Sequence, residues 1–340
     1  MIDILKIIEQ NNIEFTKFEN FDFCKFLQKI KSSLEYIKSG STGHTFKGII
    51  NKNIFYAIKI IPYIKKEKYG EITNNKRPEN VEIEIQKLLS NKNNNFIIQQ
   101  YDYFHTNIEQ FIKLDINDNK EYIKFKENYY KDIYYDKVLV IISEWADGGD
   151  LLDFIRKNKN KINYKQWKVI FFQIIFILAY IQHYYPSFRH NDLKPNNILI
   201  KNNFSKKKYL IYKLDKYKFK VPNIGIQLKI SDFDFACIDG IIDNIKINSK
   251  HVKKAKITKN KNRYYDLHFF FNFLINNSIC SELLNEDFSS KEIVEFLNNI
   301  LPKKLRKSYE NNKCRLIYNI EYKIPLDILL KNKFFDEFII

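Results

Sequence analysis

Residues 189–200 read RHNDLKPNNILI, and this stretch restricts the chain more than any other. A carboxylate, Asp192, and a carboxamide, Asn197, stand five positions apart in a polar loop that runs directly into the apolar Ile198-Leu199-Ile200. That spacing suits a loop that orients a hydroxyl with one side chain and a metal with the other. Lys194 lies between them, where an ammonium can neutralise a transferred phosphoryl group. A polar loop with no such duty is the competing reading.

Glycine is scarce, 8 residues in 340, and five of the eight fall in two clusters: Gly40, Gly43 and Gly48, then Gly148 and Gly149. A chain this poor in glycine is expected to keep it where the backbone requires it. In Ser39-Gly40-Ser41-Thr42-Gly43-His44-Thr45 the glycines let backbone N–H groups approach phosphate oxygens, and a plain hairpin turn is the alternative. Lys59 sits inside the apolar run FYAIKII, where its amine needs either an anion or a route to water. A helix is predicted over 78–90, with Pro78 in its first turn and Val81, Ile85, Leu88 and Leu89 on one stripe. Glu82 borders that stripe and is placed to pair with Lys59, whereas Glu84 faces solvent. Downstream, Asp232 follows a strand predicted over 227–230, and its carboxylate suits Mg²⁺, a hard cation that prefers oxygen.

The rest of the pattern sets the organisation. Residues 1–33 read as helical, and strands dominate from Leu34 to Ile61. A polar insertion spans 105–136, a buried strand 138–143, and a short helix starts near Asp150. A long apolar helix covers 163–184, a lysine-rich insertion 201–220, and mostly helix follows from Tyr264. Apolar residues make up 45% of the chain, enough for a sizeable core and against disorder. The most apolar window, 169–181, is too short at 13 residues to span a bilayer and reads as a core helix, so no transmembrane segment is expected. No signal peptide is visible at the N-terminus. The four cysteines form no CxxC pair and read as buried, reduced thiols of a cytosolic protein. The net charge of +17 points to an acidic partner or to the Lys/Asn/Ile drift of an AT-rich genome.

In this order, the five elements resemble the eukaryotic protein-kinase fold from about residue 34 to at least residue 275. The resemblance implies an α+β, bilobal architecture: a helical extension over 1–33, a small β-rich lobe with one helix over 34–144, and a larger helical lobe over 145–340. It implies ATP and Mg²⁺ as cofactors. Gly40 and Gly43 would cover the phosphates, and Lys59 with Glu82 would form the strand–helix pair. Ser143 would be the gatekeeper, Glu144, Trp145 and Ala146 the hinge for adenine, and Asp150 would reach the ribose. Asp192 would be the catalytic base, Asn197 and Asp232 the metal ligands, and Asp266 the brace beneath the catalytic loop. Lys194 is similar to the lysine of serine/threonine kinases. The chain departs from the family at Lys38 (first loop glycine), Asn191 (catalytic-loop arginine) and Asp234 (last glycine of the magnesium motif), and it lacks an Ala-Pro-Glu before Asp266. The form HNDLKPNN…DFD is similar to serine/threonine kinases of poxviruses and giant viruses, which implies host cytoplasm or virion as its location. The resemblance implies a protein serine/threonine kinase. A small-molecule kinase of the choline or aminoglycoside type and a catalytically silent binding module are the alternatives. A protein with a Ser/Thr acceptor is the expected partner. The basic insertion offers a place for nucleic acid, an anionic membrane or an acidic protein, or is a solvated loop.

Overall fold

Strands fill the first part of the chain because β-branched and aromatic residues there alternate with polar ones. The computed structural model describes the chain except for residues 1–3, 41–42, 91–94, 117–118, 159–160, 249–251, 253–254, 256, 286–288, 307–313 and 317–318. The chain forms two compact units, one of Met1–Asn93 and Ile98–Trp145, the other of Asn94–Ile97 and Ala146–Ile340.

In the first unit, α1 (Ile4–Gln10) and α2 (Phe23–Lys29) precede β1 (Ser32–Ser39), β2 (His44–Ile50) and β3 (Ile54–Ile64). Next come α3 (Pro78–Ser90), β4 (Gln100–Asn107), α4 (Glu109–Ile112), α5 (Lys120–Tyr130) and β5 (Tyr134–Glu144). The five strands make one antiparallel sheet in the order β1-β2-β3-β5-β4. Period-two geometry sends alternate residues of β3 to opposite faces. Tyr56, Ile58 and Ile60 join a core that includes Ile4, Ile8, Phe23 and Phe26 from α1 and α2. Ile61 and Tyr63 pack on the other face with Ile83 of α3. The helix expected across 1–33 is therefore two short helices joined by non-helical residues 11–22, and both dock on the sheet. The insertion expected over 105–136 is partly strand, since β4 runs to Asn107 and β5 starts at Tyr134, and α4 and α5 lie between them.

The second unit is built around α7 (Tyr164–Tyr184), which follows α6 (Leu151–Asn158). Asn163 and Gln166 start α7 with reciprocal side-chain-to-backbone bonds of 2.9 and 3.0 Å, satisfying two of its otherwise open donors. At 21 residues α7 is long enough to cross a bilayer, so length does not exclude a span as expected for the 13-residue window. Its burial accounts for the apolar run instead: 83% of its most apolar stretch is packed inside the unit. Phe171, Phe172 and Phe176 meet Phe271, Phe296, Phe335 and Phe219 at ring separations of 5.2 to 5.9 Å. Each such buried side chain contributes roughly 1.5–3 kcal/mol.

After α7 come β6 (Phe188–Arg189), β7 (Ile198–Asn202), β8 (Tyr209–Leu214), β9 (Tyr217–Pro222), β10 (Ile226–Ile230) and β11 (Cys237–Ile238). Then follow α8 (Tyr265–Asn276), α9 (Lys291–Ile300) and α10 (Pro325–Lys331), with 3₁₀ turns between them. The lysine-rich stretch is a formed hairpin, β8 against β9, with Tyr212, Leu214, Phe219 and Val221 buried. Two cysteines depart from expectation: Cys24 is exposed and Cys314 half-buried, whereas Cys237 and Cys280 are buried.

Candidate active site

The catalytic-loop segment is held from its backbone outwards. Asp266, in the first turn of α8, accepts the backbone N–H of His190 and of Asn191, both at 2.8 Å. The His190 ring donates from Nε2 to the Ser231 carbonyl at 3.1 Å and accepts the Asp192 N–H on Nδ1 at 3.3 Å. Asn191 adopts φ 65°, a left-handed conformation that asparagine tolerates better than arginine. Its Oδ1 accepts from the buried Arg189, and its Nδ2 donates to the Phe235 carbonyl at 3.0 Å. Burial pushes the neighbouring Cys237 thiol up to about 12, so it stays a neutral wall of this site.

Three donors converge on Asp192. Lys194 Nζ reaches Oδ2 at 2.8 Å, Asn197 Nδ2 reaches Oδ2 at 3.2 Å, and Arg315 Nη2 reaches Oδ1 at 2.7 Å. Strand register explains why Asn197 and Asp232 are neighbours. Ile198 of β7 pairs with Ile230 of β10, and Ser231 donates from N and Oγ to the Asn197 carbonyl at 3.0 and 3.1 Å. Asp232 is the next residue and takes φ 66°. Strained backbone of this kind concentrates at functional loops. Asn197 spends its amide nitrogen on Asp192, which leaves its amide oxygen as the donor a hard cation prefers. Among the described residues no three His, Cys, Asp or Glu side chains cluster as a metal cage. One carboxylate and one carboxamide suffice where phosphate oxygens and water complete the shell.

In the first unit, Lys59 donates to both oxygens of Glu82, at 2.7 and 2.8 Å. Lys59 shares a face of β3 with Ile61 and Tyr63, the face covered by α3. Gly40 N–H donates to the Gly43 carbonyl at 2.8 Å, closing the β1–β2 turn; Ser41 and Thr42 lie outside the described residues.

Residues 32–241 match the protein kinase domain. The chain belongs to the protein kinase family. It is 43% identical over 324 residues to R400 of Acanthamoeba polyphaga mimivirus, a protein named provisionally as a serine/threonine-protein kinase; the match covers 90% of this chain and 69% of that one. R301 of the same virus, named in the same way, is 27% identical over 319 residues, covering 78% of each chain. Serine/threonine-protein kinase 2 of fowlpox virus is 42% identical over 130 residues, 36% of this chain and 26% of that protein. Family membership carries the α+β, bilobal fold.

Further contacts surround the residues expected to hold the nucleotide. Asp150 is buried and accepts the Asp153 N–H of the first turn of α6 at 2.9 Å. Glu144 exchanges bonds with Gln99 through its N–H and Oε1, at 2.9 and 2.8 Å. Ala146 is buried, and the following Gly148 donates to the Ile200 carbonyl at 2.9 Å. Gly148 is required there: a Cβ would stand 2.4 Å from Ile200 Cγ2. Asp234, at the place of the missing glycine, pairs with Lys246, whose Nζ lies 3.6 Å from the centre of the Phe235 ring. Arg315 had no sequence signal, since it lies 123 residues from Asp192 and outside any motif. Arg189 lies inside the motif, and its role comes from tertiary contacts, with Asn191 and with the Asn260 carbonyl.

Proposed function

We propose that the kinase transfers the γ-phosphoryl group of ATP to serine or threonine hydroxyls of proteins, with Mg²⁺. The observation that carries this reading is the Asp192 carboxylate held 2.8 Å from Lys194 Nζ on a loop pinned by Asp266. In the proposed step Asp192 accepts the acceptor's hydroxyl proton, the hydroxyl oxygen bonds to the γ-phosphorus, and the bond from that phosphorus to the β–γ bridging oxygen breaks to release ADP. Lys194 neutralises charge on the transferred group, and Lys59, oriented by Glu82, neutralises charge on the nucleotide phosphates. Asn197 and Asp232 would hold Mg²⁺, which supplies further phosphate charge neutralisation. Gly40 and Gly43 would let backbone N–H groups approach the phosphates, and Glu144 and Ala146 would offer backbone groups to adenine. Serine/threonine preference is supported by Lys194 two residues after Asp192 and by the names of the viral relatives. Those relatives also support a viral protein that acts in host cytoplasm or virion.

The test is transfer from γ-labelled ATP with Mg²⁺ to a protein mixture and, separately, to small alcohols, beside Asp192→Ala. Label on protein serine or threonine, lost in the variant, is the expected result. Label on alcohols alone would reassign the acceptor class, and bound nucleotide without transfer would make the chain a binding module.

The β8–β9 hairpin supports an anionic membrane as partner. Lys213 and Lys218 stand directly opposite each other on its exposed face, a like-charge pairing that an anion relieves. Exposed Tyr209 and Ile211, at alternate positions of the same strand as Lys213, add apolar surface on that face. Sedimentation with phosphatidylserine-containing vesicles at low salt, lost in the doubly substituted K213E/K218E chain, is the expected outcome. Equal binding by that variant would remove the hairpin from any such role.

A further inference from the structure

We propose that Arg315 is a positioning residue for Asp192, setting the direction of its carboxylate for the acceptor hydroxyl. The inference rests on the reading of Asp192 as proton acceptor. One guanidinium spans two sites of the loop: Nη2 donates to Asp192 Oδ1 at 2.7 Å, and Nη1 donates to the Asn191 carbonyl. A rigid planar fork that holds a side chain and the preceding backbone carbonyl together fixes the torsions between them, which a flexible ammonium does less well. The fork is itself held. It lies 4.0 Å from the Phe269 ring centre and 3.4 Å from the Tyr265 hydroxyl, and its side chain is only 10% exposed. Tyr265 and Phe269 both belong to α8, the helix whose Asp266 carries the loop backbone. One helix thus sets the loop's position through Asp266 and supports the carboxylate's direction through Arg315.

The division of oxygens fits this role. Oδ2 takes the bonds from Lys194 and Asn197, while Oδ1 takes Arg315. A carboxylate oxygen has two acceptor directions, so Oδ1 retains one for a hydroxyl. Asp192, Lys194 and Arg315 line a cavity of about 450 Å³ with Ile257, Phe269 and Phe273, where an acceptor side chain has room.

The experiment compares the full chain with Asp192→Asn, Arg315→Met, Arg315→Lys and Arg315→Ala in steady-state transfer, each variant first checked by thermal melting. Methionine keeps an apolar side chain of similar length and removes the fork. The expected result is a fall in kcat on the order of 10²-fold for Arg315→Met with little change in KM for ATP. Arg315→Lys should recover part of the loss, and millimolar guanidinium ion should partly restore Arg315→Ala, which a packing role alone would not produce. Unchanged or increased kcat in a folded Arg315→Met would overturn the proposal, the increase marking Arg315 as a plug over the base. If Arg315→Met and Arg315→Ala fail to fold, Arg315→Lys decides: wild-type kcat there would overturn the requirement for a fork. Full activity in Asp192→Asn would overturn the reading of the base itself, and is distinguishable because it does not involve Arg315.

Discussion

Lys59 donates to both carboxylate oxygens of Glu82 from the middle of β3, and the two partners differ in access to water, 21% against 2% side-chain exposure. The asymmetry makes the two truncations unequal. Lys59→Met takes its cation away from a buried carboxylate and should cost about 3 kcal/mol. Glu82→Gln leaves an ammonium that still reaches solvent and a carboxamide oxygen that still accepts from it, so its cost should be smaller. Urea midpoints of the two variants measure the order, and a Glu82→Gln loss equal to or above that of Lys59→Met would show that water does not reach Lys59.

Asp266 carries the backbone of the catalytic loop through two bonds of 2.8 Å in a fully buried setting. Asp266→Ala would leave the N–H groups of His190 and Asn191 without an acceptor, at a cost of about 3 kcal/mol. Asp266→Asn retains one acceptor oxygen and should lose about half as much. Amide hydrogen exchange at residues 190 and 191 reads the effect locally. Unaltered protection there in Asp266→Ala would mean that the loop is held by other contacts.

Much of this was legible in the sequence for physical reasons. Pro78 and the apolar stripe after it defined α3 to its observed bounds, and the polar run from His190 to Asn197 read as a loop that leads into an apolar segment, which is β7. The Lys59–Glu82 pair was readable because a helix of known phase follows a strand with one misplaced charge. Other features depended on tertiary context. Lysines at alternate positions hid the period-two pattern of Tyr212, Leu214, Phe219 and Val221, so a packed hairpin read as a basic insertion. The Asp150 bond to the Asp153 N–H is likewise not legible in the sequence, where an aspartate before a helix serves capping and ligand contact alike. Arg315 reaches Asp192 only through folding of distant segments.

Histidines give the fold an acid limit. Burial lowers His44, His105 and His268 to about 4 each. His268 shows why: its Nε2 donates to the Leu305 carbonyl at 2.7 Å, and its buried Nδ1 meets no hydrogen-bond partner among the described residues. In the unfolded chain these rings titrate near 6.5. Between those values the unfolded state binds more protons, so stability rises with pH there and is flat in these groups above it. Each histidine should remove about 1.4 kcal/mol per pH unit as pH falls from 6.5 towards 4. Denaturant midpoints at pH 7.5, 6.0 and 5.0 test this. His268→Gln should flatten the slope for the second unit, and an unchanged slope would assign the acid sensitivity to other groups.

Gly40 and Gly43 are three residues apart in one turn, yet their surroundings differ sharply. A Cβ on Gly43 would stand 2.3 Å from the Ile60 carbonyl oxygen, inside the β2–β3 ladder, where backbone must shift to admit it. Among the described residues, a Cβ on Gly40 would meet nothing nearer than the Gly43 carbonyl oxygen at 3.8 Å. Gly43→Ala should therefore destabilise the first unit by about 1–3 kcal/mol through overpacking. Gly40→Ala should be close to neutral in stability, and any loss of transfer it causes reads the approach of phosphates to the turn. Thermal melting separates the two effects from activity. Equal melting temperatures for both variants would show that β2 and β3 yield to the added methyl, and the sheet would then not be the reason for glycine at position 43.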